Sequence, residues 1–93
     1  GKDPAIVLED ADLDRAAAGI AFGAFFNAGQ TCISVERAYV VDGVYDAFIE
    51  RLTEVVETLR AGSGDDVDVG PMTTDPQLEI VEGQLADAID RGA

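Results

Sequence analysis

Two short apolar runs constrain the fold of this chain more than any other feature of its sequence. "AIVL" occupies residues 5–8 and "AYVV" occupies residues 38–41, and neither run alternates with polar residues. A continuous apolar run is typical of a strand that is buried on both faces, as in a parallel sheet. Parallel neighbours need a crossover connection, usually a helix. The sequence therefore predicts a right-handed β-α-β unit in its first half.

The segment between the two runs predicts a helix. Asp12 is expected to act as its N-cap, and residues 16–26 are apolar or small on every side, which predicts a buried helix. Gly19 and Gly23 lie four residues apart and would leave a smooth stripe where another backbone can approach closely.

Two further helices are predicted after residue 42. Residues 43–62 place apolar side chains at three- and four-residue steps, with Gly62 as the expected stop. After a loop, Asp75 is expected to cap a last helix, with Pro76 in its first turn. One face of that helix is predicted to be apolar, through Leu78, Val81, Leu85 and Ile89.

The predicted order is therefore β-α-β-α-loop-α, an α/β fold. Two strands cannot bury both of their own faces and also cover three helices, and 93 residues are near the lower limit for a self-sufficient core. We therefore expect the chain to be a piece of a larger α/β domain. The sequence shows no internal repeat and no low-complexity segment.

The charge balance excludes one class of partner. There are 19 acidic residues and 6 basic ones, for a net charge of −13, whereas phosphate contacts need clustered Lys and Arg. Nucleic acid is therefore not expected as a partner. The acidic excess is interpreted as a strongly solvated surface. A cation site at residues 62–71 is rejected, because those carboxylates lack the spacing of a calcium loop, and no metal is expected.

Membrane and secretory signals are not found in the sequence. No run of 18 apolar residues occurs, and the chain does not open with a basic, then apolar, then small-residue pattern. The single cysteine cannot form an intrachain disulfide, which fits a reducing compartment. The expected localisation is cytoplasmic, with no membrane partner.

That single cysteine, Cys32, follows Gly29, Gln30 and Thr31 in a predicted loop at 27–35. A cysteine attacks only as its thiolate, so a reactive one needs a lowered pKa or a nearby base, together with access. The chain contains no histidine, so any base is a carboxylate or comes from elsewhere. From these residues alone, two alternatives stay open, a nucleophile or an inert small residue in a turn.

The segment "FFNAGQTCISVER", residues 25–37, resembles the active-site cysteine segment of the NAD(P)-dependent aldehyde dehydrogenase superfamily. The family pattern is an aromatic residue, then Gly-Gln-x-Cys, then an Arg five residues after the Cys, and the positions that match are Phe25, Gly29, Gln30, Cys32 and Arg37. "GKDPAIVLEDADLD" at 1–14 and "DVGPMTT" at 68–74 are similar to flanking segments of the family, so the resemblance spans the chain.

One position departs from the pattern. The second residue after the nucleophile is usually Ala, Gly, Cys or Asn in this family, and here it is Ser34. Because serine adds one hydroxyl at similar size, we expect it to be tolerated. Asn27 is expected to end the first helix or bond a backbone group, Arg37 to anchor the second strand, and Lys2 to have no role.

The resemblance implies that residues 1–93 are part of a parallel, Rossmann-like three-layer catalytic domain. It also implies that Cys32 attacks an aldehyde while its own backbone N–H helps to hold the oxyanion, and that Thr31 and Ile33 border the substrate pocket. Hydride would pass to the nicotinamide, and a water activated by a Glu would release the acid. That Glu would lie three residues before Gly1, outside the chain.

The resemblance further implies that NAD or NADP is bound by segments outside the chain, so no cofactor-binding residue is expected within it. The expected partners are a small aldehyde substrate, the remainder of the enzyme and, in the full-length protein, further copies in a homo-oligomer. The isolated chain is expected to be inactive. The alternative is a non-catalytic truncated α/β fragment or an interaction module.

Overall fold

The computed structural model describes residues 1–93 and confirms a β-α-β unit followed by two helices. Two short elements, a left-handed turn at Phe26–Gly29 and a single-turn 3-10 helix at Asp42–Val44, connect the longer ones. The main elements are β1 (Asp3–Val7), α1 (Leu13–Phe25), β2 (Val35–Val40), α2 (Tyr45–Glu57) and α3 (Asp75–Asp90). The predicted α/β class and element order are confirmed.

β1 and β2 form a two-stranded parallel sheet, so both of their amino ends lie at the same edge. Asp3 pairs with Val35, but Pro4 pairs with Arg37, so Glu36 is an extra residue in β2. Pro4 has no N–H to donate to a ladder, which explains why the regular pairing is interrupted at this point. β1 begins two residues before the predicted apolar run.

A small core lies on one face of this sheet, where α1 and α2 pack. Val7, Ala17 and Phe48 are buried together, and Ile20 and Leu52 pack against them. Only 5 of the 93 residues are buried. The hydrophobic contacts therefore fix one face of the sheet against two helices and leave little else enclosed.

The opposite face of the sheet is open. Ile6 pairs with Tyr39 across the two strands, and these side chains are 70% and 54% exposed. Leu8, two residues after Ile6, is exposed as well. Within the chain, therefore, the two apolar runs are covered on one side only.

The start of α1 is as predicted, but its burial is not. The Asp12 side chain accepts a hydrogen bond from the Arg15 N–H at 3.1 Å, which confirms the N-cap. Ala17 and Ala21 are the buried residues of this helix, whereas Phe22 is 68% exposed. The prediction of a helix buried on all sides is wrong for this chain, because only the sheet and α2 pack against it.

α2 ends earlier than the sequence predicts, at Glu57 rather than near Gly62. The Arg60 N–H donates to the Asp68 carboxylate at 2.9 Å, and the Arg60 carbonyl accepts from the Val69 N–H at 3.0 Å. These bonds to a later segment replace the helical ones, so the chain leaves the helix before the glycine.

α3 contains Pro76 in its first turn, as predicted, but the N-cap position is Thr74 and not Asp75. No residue of this helix is buried. The apolar side chains that the sequence predicts on one face of α3 are therefore not buried by any other part of the chain. None of the helices is both long enough and apolar enough to cross a membrane.

The open sheet face leads to a prediction for the isolated 93-residue chain. We expect it to bind the dye ANS and to self-associate, without a sharp melting transition, because its exposed apolar side chains have no cover. Ile6→Thr combined with Tyr39→Thr should reduce both effects, whereas the core variant Phe48→Ala should not. ANS fluorescence, sedimentation velocity and circular dichroism melts measure this, and a cooperative melt of a monomer would contradict it.

Candidate active site

Cys32 lies in a loop at the amino ends of β1 and β2, which we call the cysteine loop (residues 26–34). The loop begins where α1 ends, with three consecutive residues in the left-handed region. Asn27, Ala28 and Gly29 have φ values of 53°, 57° and 70°. Asparagine and glycine adopt this region readily, but alanine does so at a cost of roughly 1–2 kcal/mol. The backbone therefore carries local strain at Ala28, four residues before Cys32.

Asn27 closes this left-handed turn. Its side-chain Nδ2 donates to the Gln30 carbonyl at 3.2 Å, and its own carbonyl accepts from the Gln30 N–H at 3.1 Å. The expectation that Asn27 ends the first helix or bonds a backbone group is therefore confirmed.

The cysteine itself occupies a tight turn. The Ser34 N–H donates to the Thr31 carbonyl at 3.1 Å, which places Cys32 and Ile33 at the two central positions. Cys32 is exposed, its thiol is free, and its backbone N–H donates no hydrogen bond within the chain. Ile33 is 73% exposed and Thr31 is half-buried. The three predicted site residues therefore form one short exposed turn.

Ser34 anchors the strand-side end of this turn. It is only 7% exposed, and its Oγ lies 3.3 Å from the Gly23 carbonyl and 3.2 Å from the Ala24 carbonyl. These carbonyls belong to the last turn of α1, where helical acceptors lack helical donors. The one residue that departs from the family pattern therefore uses its hydroxyl to tie the turn to the helix.

Of the two glycines in α1, only Gly23 is closely approached by another part of the chain. A Cβ atom at Gly23 would lie 2.9 Å from Cγ2 of Val35, so the start of β2 does approach the helix closely there. Nothing lies within 4 Å of the corresponding position at Gly19. The predicted close approach is confirmed at Gly23 and wrong within this chain at Gly19.

All three segments that carry the family resemblance meet at the cysteine loop. The Gln30 side chain hydrogen-bonds to Pro71 and Thr73, in the segment at 68–74. At the other end of the chain, a Cβ atom at Gly1 would lie 2.6 Å from the Cys32 carbonyl oxygen. The folded chain thus brings its first residue and residues 71–73 to the loop that holds the thiol.

One ion pair lies beside the loop. The Lys2 ammonium donates a hydrogen bond to the Glu36 carboxylate, which lowers the pKa of Glu36 below its ordinary value. Both side chains are exposed, so the pair is a weak contribution to stability. Lys2, for which no role was predicted, thus joins the start of β1 to β2. The Arg37 side chain makes no hydrogen bond or ion pair within the chain, and its anchoring role stays a prediction.

The first strand-to-helix turn does not fit the pyrophosphate of a dinucleotide cofactor. The turn between β1 and α1 contains no glycine, and Asp10, Asp12 and Asp14 put negative charge at the helix N-terminus, where a pyrophosphate would need positive charge. No group of three or more His, Cys, Asp or Glu side chains is placed to hold a metal ion. In the acidic 62–71 loop, Asp66 and Asp68 instead pair with Arg60.

Comparison with known proteins gives a consistent result along the whole chain. A family model described as the aldehyde dehydrogenase family matches residues 1–93. The chain is 46% identical to the succinate-semialdehyde dehydrogenase [NADP(+)] GabD of Escherichia coli (strain K12) over 95 aligned residues, which cover 100% of this chain and 20% of that protein. It is 43% identical to the glutarate-semialdehyde dehydrogenase of Pseudomonas aeruginosa, with the same coverage of 100% and 20%.

Solved structures show the same relationship. The NADP-dependent glyceraldehyde-3-phosphate dehydrogenase from Bacillus halodurans C-125, complexed with NADP, superposes with a TM-score of 0.85 at 42% identity, over 100% of this chain and 20% of that one. The chain therefore spans about one fifth of the length of these proteins.

The buried hydroxyl of Ser34 leads to a stability prediction for the full-length protein that carries this chain. Ser34→Ala removes the single O–H donor that lies within reach of the Gly23 and Ala24 carbonyls, and we expect a loss of about 1 kcal/mol in the free energy of unfolding. Ser63→Ala, in an exposed loop, is the matched control and should change it by less than about 0.5 kcal/mol. Urea denaturation measures both. Equal effects of the two variants would contradict an anchoring role.

Proposed function

The chain belongs to the aldehyde dehydrogenase family, and we propose that it is the segment that carries the nucleophile of a larger enzyme. That enzyme would oxidise an aldehyde to a carboxylic acid with NAD or NADP. The observation that carries the proposal is the exposed Cys32 at the tip of a tight turn, with its backbone N–H unpaired. An incoming carbonyl group could meet a nucleophile and a hydrogen-bond donor that belong to the same residue.

In the first step, the Cys32 thiolate would attack the carbonyl carbon of the aldehyde. A C–S bond forms, and the π electrons of the C=O bond move to oxygen. The Cys32 N–H, which is not committed to any other acceptor, would donate a hydrogen bond to this oxyanion. Such a donor stabilises negative charge that develops only after attack, which is what lowers the barrier.

The tetrahedral adduct then loses hydride, and NAD(P)+ is the acceptor that this reaction consumes. The carbon left on Cys32 is a thioester, and attack by water breaks its C–S bond to give the acid and the free thiol. The turn between β1 and α1 offers no cradle for a pyrophosphate, and we assign cofactor binding to segments outside this chain.

The base that activates the water would also lie outside the chain. Gly1 lies against the Cys32 carbonyl, so any residues that precede it start beside the nucleophile. Three extended residues span at most roughly 11 Å, which keeps a carboxylate at that distance within reach of the thioester. This placement supports a Glu three residues before Gly1 as the base, and none of the carboxylates of the chain is needed for that role.

Thr31 and Ile33, which flank the nucleophile, would border the substrate pocket. Ile33 projects an apolar side chain into solvent beside the thiol, a position that a bound substrate would cover. Thr31 offers a small polar wall on the other side. We assign these two residues to substrate contact rather than to the chemical step.

The open sheet face supports a specific architecture for the rest of the enzyme. Helices cover one face, and the apolar face with Ile6 and Tyr39 lacks cover within the chain. We propose that residues 1–93 are part of a Rossmann-like, three-layer catalytic domain, whose remaining strands and helices cover that face.

The nucleophile is tested in the full-length enzyme by Cys32→Ser. We expect aldehyde oxidation to fall on the order of 10³-fold or more, because a serine hydroxyl stays protonated at neutral pH and is a much weaker nucleophile than a cysteine thiolate. Succinate semialdehyde and glutarate semialdehyde, the aldehydes that the names of two relatives indicate, are assayed with NAD+ and with NADP+.

Ser63→Ala serves as the control for this experiment, and mass spectrometry locates the acyl group after a rapid acid quench. Retention of full activity by Cys32→Ser would overturn the proposal. A full-length protein that oxidises no aldehyde and forms no adduct on Cys32 would favour the alternative of a non-catalytic interaction module.

The pocket assignment is tested by Ile33→Ala, compared with Ile80→Ala on the exposed surface of α3. Removing apolar contact surface beside the thiol should raise KM for the aldehyde roughly tenfold, and the α3 variant should leave it unchanged. Steady-state kinetics on the preferred aldehyde measure this. An unchanged KM in Ile33→Ala would remove Ile33 from the substrate pocket.

A further inference from the structure

We propose that Gln30 is a positioning residue that ties the cysteine loop to residues 71–73 and thereby fixes where Cys32 is presented. This inference rests on the proposed function, because it concerns the same nucleophile. Gln30 itself does not touch the reacting atoms. It would act on the reaction only through the backbone that leads to the thiol.

The hydrogen-bonding capacity of the Gln30 side chain is completely used. A primary amide has two N–H donors and two acceptor lone pairs. Nε2 donates to the Asn27 carbonyl at 3.2 Å and to the Pro71 carbonyl at 3.3 Å. Oε1 accepts from the backbone N–H and from the hydroxyl of Thr73, both at 2.8 Å. Four bonds from one half-buried loop side chain indicate a defined orientation rather than a solvated amide.

These bonds connect parts of the chain that are far apart in sequence. The contacts to Pro71 and Thr73 span 41 and 43 residues. No other residue of the cysteine loop forms a hydrogen bond with residues 71–73. The position of one segment relative to the other therefore depends on this amide.

The place of Gln30 in the loop explains why that connection bears on the thiol. Gln30 follows the strained left-handed residues and precedes the turn that presents Cys32. On the other side of that turn, Ser34 is tied to the end of α1. The cysteine turn is thus held at both ends by side-chain hydrogen bonds, whereas Cys32 has none of its own.

A small movement at this point has a large effect on a covalent step. Displacing a reacting atom by about 1 Å can cost up to about 10²-fold in rate. Loss of the Gln30 bonds removes the restraint on one end of the turn, and the strained residues before it are free to relax. We therefore expect kcat for aldehyde oxidation to fall roughly 10- to 100-fold in Gln30→Met.

Gln30→Glu gives a readout that a merely structural role would not produce. The ionised side chain keeps an acceptor for Thr73 but places a second carboxylate oxygen against the carbonyls of Asn27 and Pro71. The protonated side chain can donate to one of them. The kcat of Gln30→Glu, divided by the kcat of the unmodified enzyme, should therefore rise as the pH is lowered through the titration of the introduced carboxyl group. The same ratio for Gln30→Met should not change with pH.

Glu36, which forms an ion pair with Lys2, lines one cavity together with Gln30 and Met72 and is the titratable group beside them. Repeating the pH series in a Glu36→Gln background removes its contribution. Thr73→Val completes a double-mutant cycle, because it removes only the hydroxyl partner. It should lower kcat in the unmodified enzyme but have little further effect beside Gln30→Met.

All measurements use the full-length enzyme at a temperature well below the melting transition of each variant, and Ser63→Ala is the control. Full kcat in Gln30→Met, additive effects in the Thr73 cycle, or no pH-dependent recovery in Gln30→Glu would each overturn the role of Gln30. Should Gln30→Met fail to fold, Gln30→Glu and Thr73→Val still decide the question. Cys32→Ser separates the two proposals, since its full activity would instead overturn the proposed function.

Discussion

Parallel pairing of β1 with β2, sealed on one face by the contact of Val7 with Ala17 and Phe48, is the constraint on which the rest of the structure depends. Because the strands run in the same direction, their amino ends meet at one edge. The segment that precedes each strand is therefore delivered to the same place. That geometry, and not any affinity between the two segments, puts Gly1 beside the cysteine loop.

The loop at that edge is organised by polar contacts rather than by hydrophobic burial. A left-handed turn ends α1, an i to i+3 hydrogen bond closes the next turn around the cysteine, and side chains on both sides bind backbone carbonyls. Each hydrogen bond contributes only about 1 kcal/mol, so the conformation depends on several of them acting together. Cys32 can therefore be exposed and still hold a defined position, because the hydrogen bonds of the neighbouring residues restrain the turn.

Patterns among residues close together in the sequence were sufficient to predict the order of the strands and helices. Continuous apolar runs predicted parallel strands, and Asp12 predicted the start of α1, because both depend on residues close together in the chain. The end of α2 could not be predicted in this way, since it depends on bonds between Arg60 and a segment eight residues later. The contacts of Ser34 and Gln30 were missed for the same reason. Their partners lie 10 to 43 residues away, and nothing in the local pattern identifies them. A general rule points to the other edge of the sheet, because ligands of open α/β sheets usually lie at the carboxyl ends of the strands, opposite to Cys32.

The extra residue in β2, Glu36, has a consequence for how this sequence can vary. It lies on the thiol side of the regular pairs that run from Pro4–Arg37 to Val7–Val40, so the number of residues between those pairs and Cys32 sets how far the loop extends from the sheet. Deleting one would retract the loop by about 3.3 Å and turn the side chains on the loop side of the deletion to the opposite face. Substitutions in this stretch are therefore far more tolerable than changes in its length.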